Sequence, residues 1–305
     1  MMVPRRIILS RKGFDGTAGG FPSPIFDDGT MFSIPILEPE NPAQEIHTRY
    51  SDLRRQGALE FPKSLITSPV RQIDLSDLDV HLDPDIRPEL RPAFASKDCE
   101  KLLLFGQDGR AQRELSNNGV GEGDLFLFFG WFKDARRDGD SVRFEGRARN
   151  RIVGVAHVIW GWLQVEKSHL IKPEGDLPVE LKCASHHPHI EHRAYYMNNC
   201  VYVGRQHLSF NESLPGAGVF SRYGPALRLT CPNESDQRSL WRLPAFLEQC
   251  AVGRAIRGNW ERTDDNFRHV QYRGFGQEFV FNVEKHQDEA RAWVNRIFSP
   301  AGQSI

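Results

Sequence analysis

Short apolar runs separated by polar, turn-rich stretches set the pattern of this chain, and a helical period is clear in few places. Residues 6–10 and 31–37 read as strands around a glycine-rich loop, followed by weak helical signals at 44–56 and an extended piece at 78–83. Residues 107–117 predict a helix that Asn118-Gly119 stops. Three strand candidates rich in Val, Ile, Phe and Trp then follow one another: GDLFLFFGWF at 123–132, SVRFEG at 141–146 and RIVGVAHVIWGWLQV at 151–165. Further strands are predicted at 200–204 and 226–231. The chain closes with QEFVFNV as a strand and a helix over 285–298, in which Ala290, Trp293, Val294 and Ile297 fall on one face. Strands and helices mix without a regular βαβ rhythm, so the expected class is α+β: a mixed or mainly antiparallel sheet with peripheral helices. One domain over residues 1–305 is expected, with the strand and helix at 276–298 packed on its core.

Composition narrows the function classes. Thirty-nine basic against forty acidic residues give a net charge of −1, which argues against coating nucleic acid by bulk charge and leaves local basic patches open. No segment approaches 18 consecutive apolar residues, so no membrane partner is expected. The apolar block Ile7 to Leu9 is too short for a signal-peptide core, and the expected location is the cytoplasm. Cysteines 99, 183, 200, 231 and 250 show no paired spacing and are expected as reduced, mostly buried thiols.

Four polar constellations remain as candidate chemistry. The loop SRKGFDGTAGGFPSP places Arg11, Lys12, Asp15, Gly19, Gly20 and Ser23 where a backbone could close on an anion, although it fits neither common phosphate-binding glycine pattern. A turn-rich connection with solvated charges is the alternative. In DVHLDPDIR, an extended backbone puts His81, Asp83 and Asp85 on one face, suited to a divalent metal or to a base held by carboxylates. The alternative is a strand end with a proline turn. In SHHPHIEHR, an extended backbone across Pro188 puts His187 and His189 on one side; with Asp83 or Asp85 they would make a two-histidine, one-carboxylate set. A polar surface loop competes with that reading. Tyr195, Tyr196, Asn199 and Tyr202 offer stacking faces and an amide, and Gly216-Ala217-Gly218 a close-approach turn, or else a core and a glycine loop. No G-x-S-x-G nominates a nucleophilic hydrolase.

Taken in order, IILSRKGFDGTAGGFPSPIFDDGT, HLDPD, GDLFLFFGWF, RIVGVAHVIWGWLQV, HPHI, NNCVYVG, GAGVF and GQEFVF resemble the third family of nucleotide modification associated domains, from about residue 5 to residue 298. That family occurs in bacteria and phages, in genomic company with DNA or nucleotide modification systems. Within it, Gly123-Asp124 before an apolar strand, followed by RIVGVAHV, looks like the pattern of PUA-like folds, including the ASCH and EVE groups, and implies a small β-barrel over about 119–170. The resemblance implies an enzyme acting on a nucleotide or a DNA base by hydrolysis or group transfer, in DNA modification or phage defence. The alternatives are a non-catalytic reader of a modified base and, below it, a structural or regulatory subunit working with partner proteins.

On this reading Asp15, His81, Asp83 and Asp85 carry the catalysis. Arg11, Lys12, Gly19, Gly20, Ser23, His187, His189, Asn199, Tyr202 and Gly216 contact the nucleotide or DNA, and a divalent metal would sit on His81, Asp83, His187 and His189.

Overall fold

The computed structural model describes residues 3–14, 20–38, 48–53, 65–67, 72–75, 77–138, 141–144, 154–232, 237–253, 260–262, 266–271 and 276–299. The first part of the chain contributes β1 (Arg6–Arg11), β2 (Ser23–Phe26), β3 (Ile36–Leu37), β4 (Leu65–Thr67), β5 (Gln72–Ile73), β6 (Val80–His81), β7 (Leu104–Gln107) and helix α1 (Gly109–Asn117). Two long strands follow, β8 (Leu125–Asp138) and β10 (Val155–Leu170), with the short β9 (Ser141–Phe144) between them, and then helix α2 (Pro188–Glu191) and β11 (Cys200–Gly204). The remainder is β12 (His207–Leu208), β13 (Asn211–Pro215), β14 (Ala217–Val219), β15 (Leu240–Pro244), α3 (Leu247–Cys250), β16 (Trp260–Arg262), β17 (Phe267–Gln271), β18 (Glu278–Asn282) and α4 (Gln287–Phe298).

β8 and β10 pair antiparallel and form the spine of a mixed sheet of eleven strands among the described residues. β1 and β2 both run parallel to β8, one against Leu125–Phe129 and the other from Phe132 onward, so they lie end to end along it. The opening glycine loop therefore leaves the sheet at its middle, beside Gly130, where a Cβ would come within 2.9 Å of the Lys12 carbonyl oxygen. The other edge of β10 carries β14 and β11, and β7 closes the row beyond β11.

Alternation along β8 builds two aromatic cores. Phe126 and Phe128 pack with Phe105 of β7 and Tyr202 of β11 on one face, at centroid distances of 4.9 to 5.7 Å. Phe129 points to the opposite face, against Trp241 and Phe279 at 5.0 and 6.0 Å. Helix α4 buries Ala290, Trp293, Val294 and Ile297, the four positions its period predicts, and Phe298 packs on Trp162, Phe210 and Phe220.

The class is α+β with mixed and antiparallel pairing, as expected, but no sheet among the described residues closes into a barrel. Over 119–170 the structure has the β8 and β10 ribbon of the large open sheet. Other expectations are corrected. Residues 226–231 form a 3-10 turn at Pro225–Leu227 with isolated bridges at Arg228 and Thr230, where proline interrupts the ladder. The helix predicted from 107 starts at Gly109, because Gln107 completes β7. Gly216-Ala217-Gly218 sits at a strand pairing, with Ala217 and Gly218 in β14 against β10. Cys99 and Cys183 form a disulfide bridging 84 residues of sequence; their separation hid the pairing, and only Cys200, Cys231 and Cys250 are free thiols, all buried. No helix among the described residues is long and apolar enough to cross a membrane.

Candidate functional site

Three separate segments meet at the outer edge of β7, where Leu104 bridges Asp85. The first is the turn after β6, whose register against β3 pairs His81 with Ile36. The Asp83 amide donates to the His81 carbonyl at 2.9 Å, so the chain turns tightly there and does not continue as a strand. The predicted shared face of His81, Asp83 and Asp85 is thereby split, and the Asp83 carboxylate accepts from the Gly106 amide at 2.6 Å.

The second segment is the start of α2. His187 is its N-cap, in extended conformation, and Pro188 takes the first helical position, where a missing N–H costs nothing. His189 lies inside the helix, so the predicted extended H-P-H gives way to a cap and a helix. The third segment is the end of β1, from which Lys12 brings Nζ within 3.6 Å of Asp83 Oδ2 and 4.5 Å of the Phe105 ring centroid.

His81, Asp83 and His189, all buried, each offer one ligand atom within 4.8 Å of the others. Hydrogen bonds engage Nδ1 of both rings. Asn199 Nδ2 donates to the His189 carbonyl at 2.7 Å, so its Oδ1 must face the ring and accept from Nδ1–H at 2.8 Å. His81 Nδ1 donates in the same way to Glu38 Oε2 at 2.7 Å. In the neutral form each ring then carries its lone pair on Nε2, the tautomer that an outer carboxylate or carbonyl imposes on metal-binding histidines. Asp83 Oδ2 is buried and makes no hydrogen bond; the charge facing it is the Lys12 ammonium at 3.6 Å.

The set fits a divalent ion of the type that takes imidazole and carboxylate together. His187 stands one step back: its Nδ1 accepts from the His189 amide at 3.3 Å, leaving Nε2 toward Asp83 Oδ1 at 3.4 Å.

Electrostatics sharpen these roles. Burial pushes the His189 pKa down to about 3, with the nearby His81 and His187 adding to the fall against the pull of Asp83, so the ring is neutral. Burial alone would raise the Asp83 pKa, but Lys12 together with His187 and His189 beside it holds it well below the usual carboxylate range. Tyr196 stacks on His189 at 4.5 Å and covers the ring.

A second carboxyl lies beside this group. Glu278 of β18 is buried; its Oε1 accepts from Ser10 Oγ at 3.0 Å and Gln107 Nε2 at 2.5 Å, and its Oε2 has no partner. Burial raises its pKa, offset in part by Lys12. Asp108, half-buried at the start of α1, is raised for the same main reason, with Lys12 and His81 opposing.

Other predicted residues lie elsewhere. Asp85 faces a different partner set: both its oxygens accept from Arg91 Nε at 2.9 Å, and Oδ2 also meets His186 Nε2 at 3.0 Å, all buried. Arg11 pairs in register with Phe129 and Ser10 with Phe128, so the pleat turns Arg11 away from the face that Ser10 shares with the cluster. Ser23 Oγ accepts from the Ile34 amide at 3.0 Å and pins β2. Tyr202 donates to Gln112 Oε1 at 3.0 Å inside the aromatic core. Gly216 is needed for close approach, since a Cβ there would fall 2.1 Å from the Arg205 carbonyl oxygen. Gly20 has a positive φ of 76° at the end of the opening loop. Asp15 and Gly19 lie outside the described residues.

Sequence reasoning missed Glu38, Gln107, Asp108 and Glu278 as neighbours of the cluster. Only Glu278 carried a sequence signal, a lone carboxylate inside the apolar run QEFVFNV.

These features define a mixed α+β protein with a buried histidine–carboxylate centre that an extra cation, Lys12, overlooks. The family model described as nucleotide modification associated domain 3 matches residues 6–282, and the chain belongs to that family. The match stops short of α4, which the resemblance included. No curated protein and no solved structure matches the chain.

Proposed function

We propose that His81, Asp83 and His189 hold a divalent metal ion and that the protein is an enzyme acting on a nucleotide or on a base within DNA, by hydrolysis or group transfer. The observation that carries this reading is the donor set itself: His81, Asp83 and His189, all buried, each offer one ligand atom within 4.8 Å of the others, with Nδ1 of both rings engaged and one Asp83 oxygen free of hydrogen bonds. Three protein ligands leave a position open, the usual condition for a catalytic rather than a structural ion. Bound there, the ion would supply Lewis acidity and make water a stronger acid.

The surrounding residues have complementary tasks. Lys12 now balances Asp83; a metal would take over that balance and release the ammonium toward a substrate phosphate. Glu278, whose pKa burial raises, is a carboxyl group close to Lys12 and the candidate for giving a proton to a leaving group. Asp15 and Gly19, which follow Lys12 in the sequence, remain candidates for substrate contact. Membership of a nucleotide modification associated family supports a nucleotide as the substrate class and a modification setting. A base in duplex DNA would have to be extruded to reach this buried centre.

The test combines metal content with chemistry. Purified full-length protein is assayed by plasma mass spectrometry and by calorimetric titration with Zn²⁺ and Mn²⁺. Modified and unmodified DNA and free nucleotides are then incubated with it and weighed by mass spectrometry. About one equivalent of metal is expected, with binding weakened at least 100-fold in Asp83→Asn and His189→Gln, and mass changes only with loaded protein. Product formation indifferent to metal would overturn the metal, and tight binding of modified DNA with no mass change in any substrate would make the protein a reader.

A further inference from the structure

The segment that carries His81 and Asp83 runs on to Arg87, a side chain the histidine–carboxylate centre does not use. Arg87 is 5% exposed, with its guanidinium 4.6 Å from the Phe32 ring centroid and 5.5 Å from that of Trp160. Two aromatic rings hold the planar cation in place and leave its N–H edge as the part able to meet a ligand. That edge makes no hydrogen bond and no ion pair among the described residues. Of its three nitrogens only Nε is sealed from solvent without a partner, so the terminal pair stands at an opening.

The neighbouring carboxylates do not answer this cation. Both oxygens of Asp85 go to Arg91 and one also to His186. Burial lowers the Arg87 pKa to about 10 against the longer-range pull of Glu89 and Asp85, which leaves the group charged at neutral pH. A buried charge without a hydrogen-bonded counter-ion is costly to the fold. An apolar side chain of similar length would fill the slot between the rings without that cost, so packing alone does not account for an arginine here.

The slot lies against the start of the opening glycine loop. Trp160 Nε1 donates to the Lys12 carbonyl at 3.1 Å while the Lys12 side chain reaches Asp83, so one residue joins the candidate metal ligands to the cradle of Arg87. Gly13 follows with φ of 94°, and a Cβ there would fall 2.6 Å from Ser33 Oγ and 4.0 Å from Trp160 Nε1. Ser33 Oγ is itself buried and without a hydrogen-bond partner. Bare backbone, an unpaired hydroxyl and an unpaired guanidinium thus gather beside one indole.

We infer that Arg87 is a phosphate-binding residue, whose free N–H edge takes a phosphate group lying beside Lys12 and Gly13. Phosphate oxygens match the paired donors of a guanidinium. That the phosphate belongs to a nucleotide rests on the proposed action of the neighbouring centre on nucleotides; Arg87 then anchors the substrate next to that centre.

The test is calorimetric titration of the full-length protein, in EDTA, with the four deoxynucleoside 5′-monophosphates, the four deoxynucleosides and inorganic phosphate. At least one phosphate compound is expected to bind, and a monophosphate that binds should do so ten-fold or more tightly than its nucleoside. Arg87→Met should weaken that binding ten-fold or more while its urea midpoint equals or exceeds that of wild type. Arg87→Lys keeps a cation between the rings but loses the paired donors, and should weaken binding at least three-fold in a folded protein. A purely structural arginine would instead lower the midpoint in Arg87→Met and leave the affinity of Arg87→Lys unchanged. Preference for monophosphates assigns a nucleotide and equal binding of inorganic phosphate assigns the bare anion, and either result supports the site. The inference is overturned if no phosphate compound binds or if either variant binds as wild type does. Because EDTA keeps metal from the histidine–carboxylate centre, failure here leaves the metal reading to its own measurement, and failure of metal binding there leaves Arg87 standing.

Discussion

A Cβ placed on Gly106 would fall 2.2 Å from Cδ2 and 2.3 Å from Cγ of His189, so the imidazole lies flat on bare backbone. The same Gly106 amide donates to Asp83. One glycine on β7 thus sets the position of two of the three candidate ligands, and its role is close approach, since its backbone is ordinary strand.

Gly106→Ala is therefore expected to displace His189 from its place over β7 while keeping every ligand in the sequence. Metal affinity should fall at least ten-fold, and overpacking should cost about 1–3 kcal/mol of stability. Titration calorimetry and urea unfolding read the two effects; unchanged metal affinity in a folded variant would rule out the arrangement described.

The two aspartates of HLDPD should respond differently to substitution. Asp85 balances Arg91, whose remaining donors go to the Cys99 and Leu102 carbonyls, inside a buried network with His186. Asp85→Ala leaves that guanidinium buried without a counter-charge and should cost about 3–5 kcal/mol in chemical unfolding. Asp83→Asn keeps an acceptor for the Gly106 amide and should cost far less stability while removing the metal. Equal losses of stability in the two variants would contradict this division.

The disulfide joins the segment that supplies Arg91 with two carbonyls to the segment just before His187 and His189. Closing a loop of 84 residues limits the unfolded chain by about 4–5 kcal/mol on loop-closure entropy alone. Reductant should lower the unfolding midpoint accordingly. Peptide mapping after alkylation under denaturing, non-reducing conditions should leave Cys99 and Cys183 unlabelled and Cys200, Cys231 and Cys250 labelled. Labelling of all five would show that the bond is absent in solution.

The legible part of this molecule is the part written in apolar runs. β1, β8, β10, β11 and β18 each hold a Val-, Ile- or Phe-rich stretch that only a sheet core can use, and α4 shows its period in Ala290, Trp293, Val294 and Ile297. The sheet of β15, β16 and β17 escaped because its strands carry Arg242, Arg262, Arg268 and His269 between single apolar residues. At the site, His81, Asp83 and His189 stood out as histidines and carboxylates in short motifs. Alternation put Asp85 on one face with His81 and Asp83, but the tight turn after His81 gives it Arg91 and His186 as partners; Arg11, nominated as a cation beside the glycine loop, is turned away from the cluster by the pleat of β1. Glu38 and Gln107 could not be found from local pattern: they matter through pairings with residues 43 and 171 positions away.

Glu278 gives a prediction whose sign follows from its environment. Burial raises its folded pKa above the ordinary value of 4.5, so between that value and the folded pKa the native state holds a proton that the unfolded chain has lost. Its contribution is fully present below 4.5 and declines as pH rises through the folded pKa, by about 1.4 kcal/mol for each unit of elevation. Glu278→Gln keeps the acceptor for Ser10 and Gln107 and removes the ionisation. The variant should match wild type near pH 4, be the more stable of the two at pH 8, and lose turnover if the neutral acid donates a proton. Urea unfolding of both proteins at several pH values reads the first part, and parallel curves across pH 4 to 8 would mean that burial does not raise the Glu278 pKa.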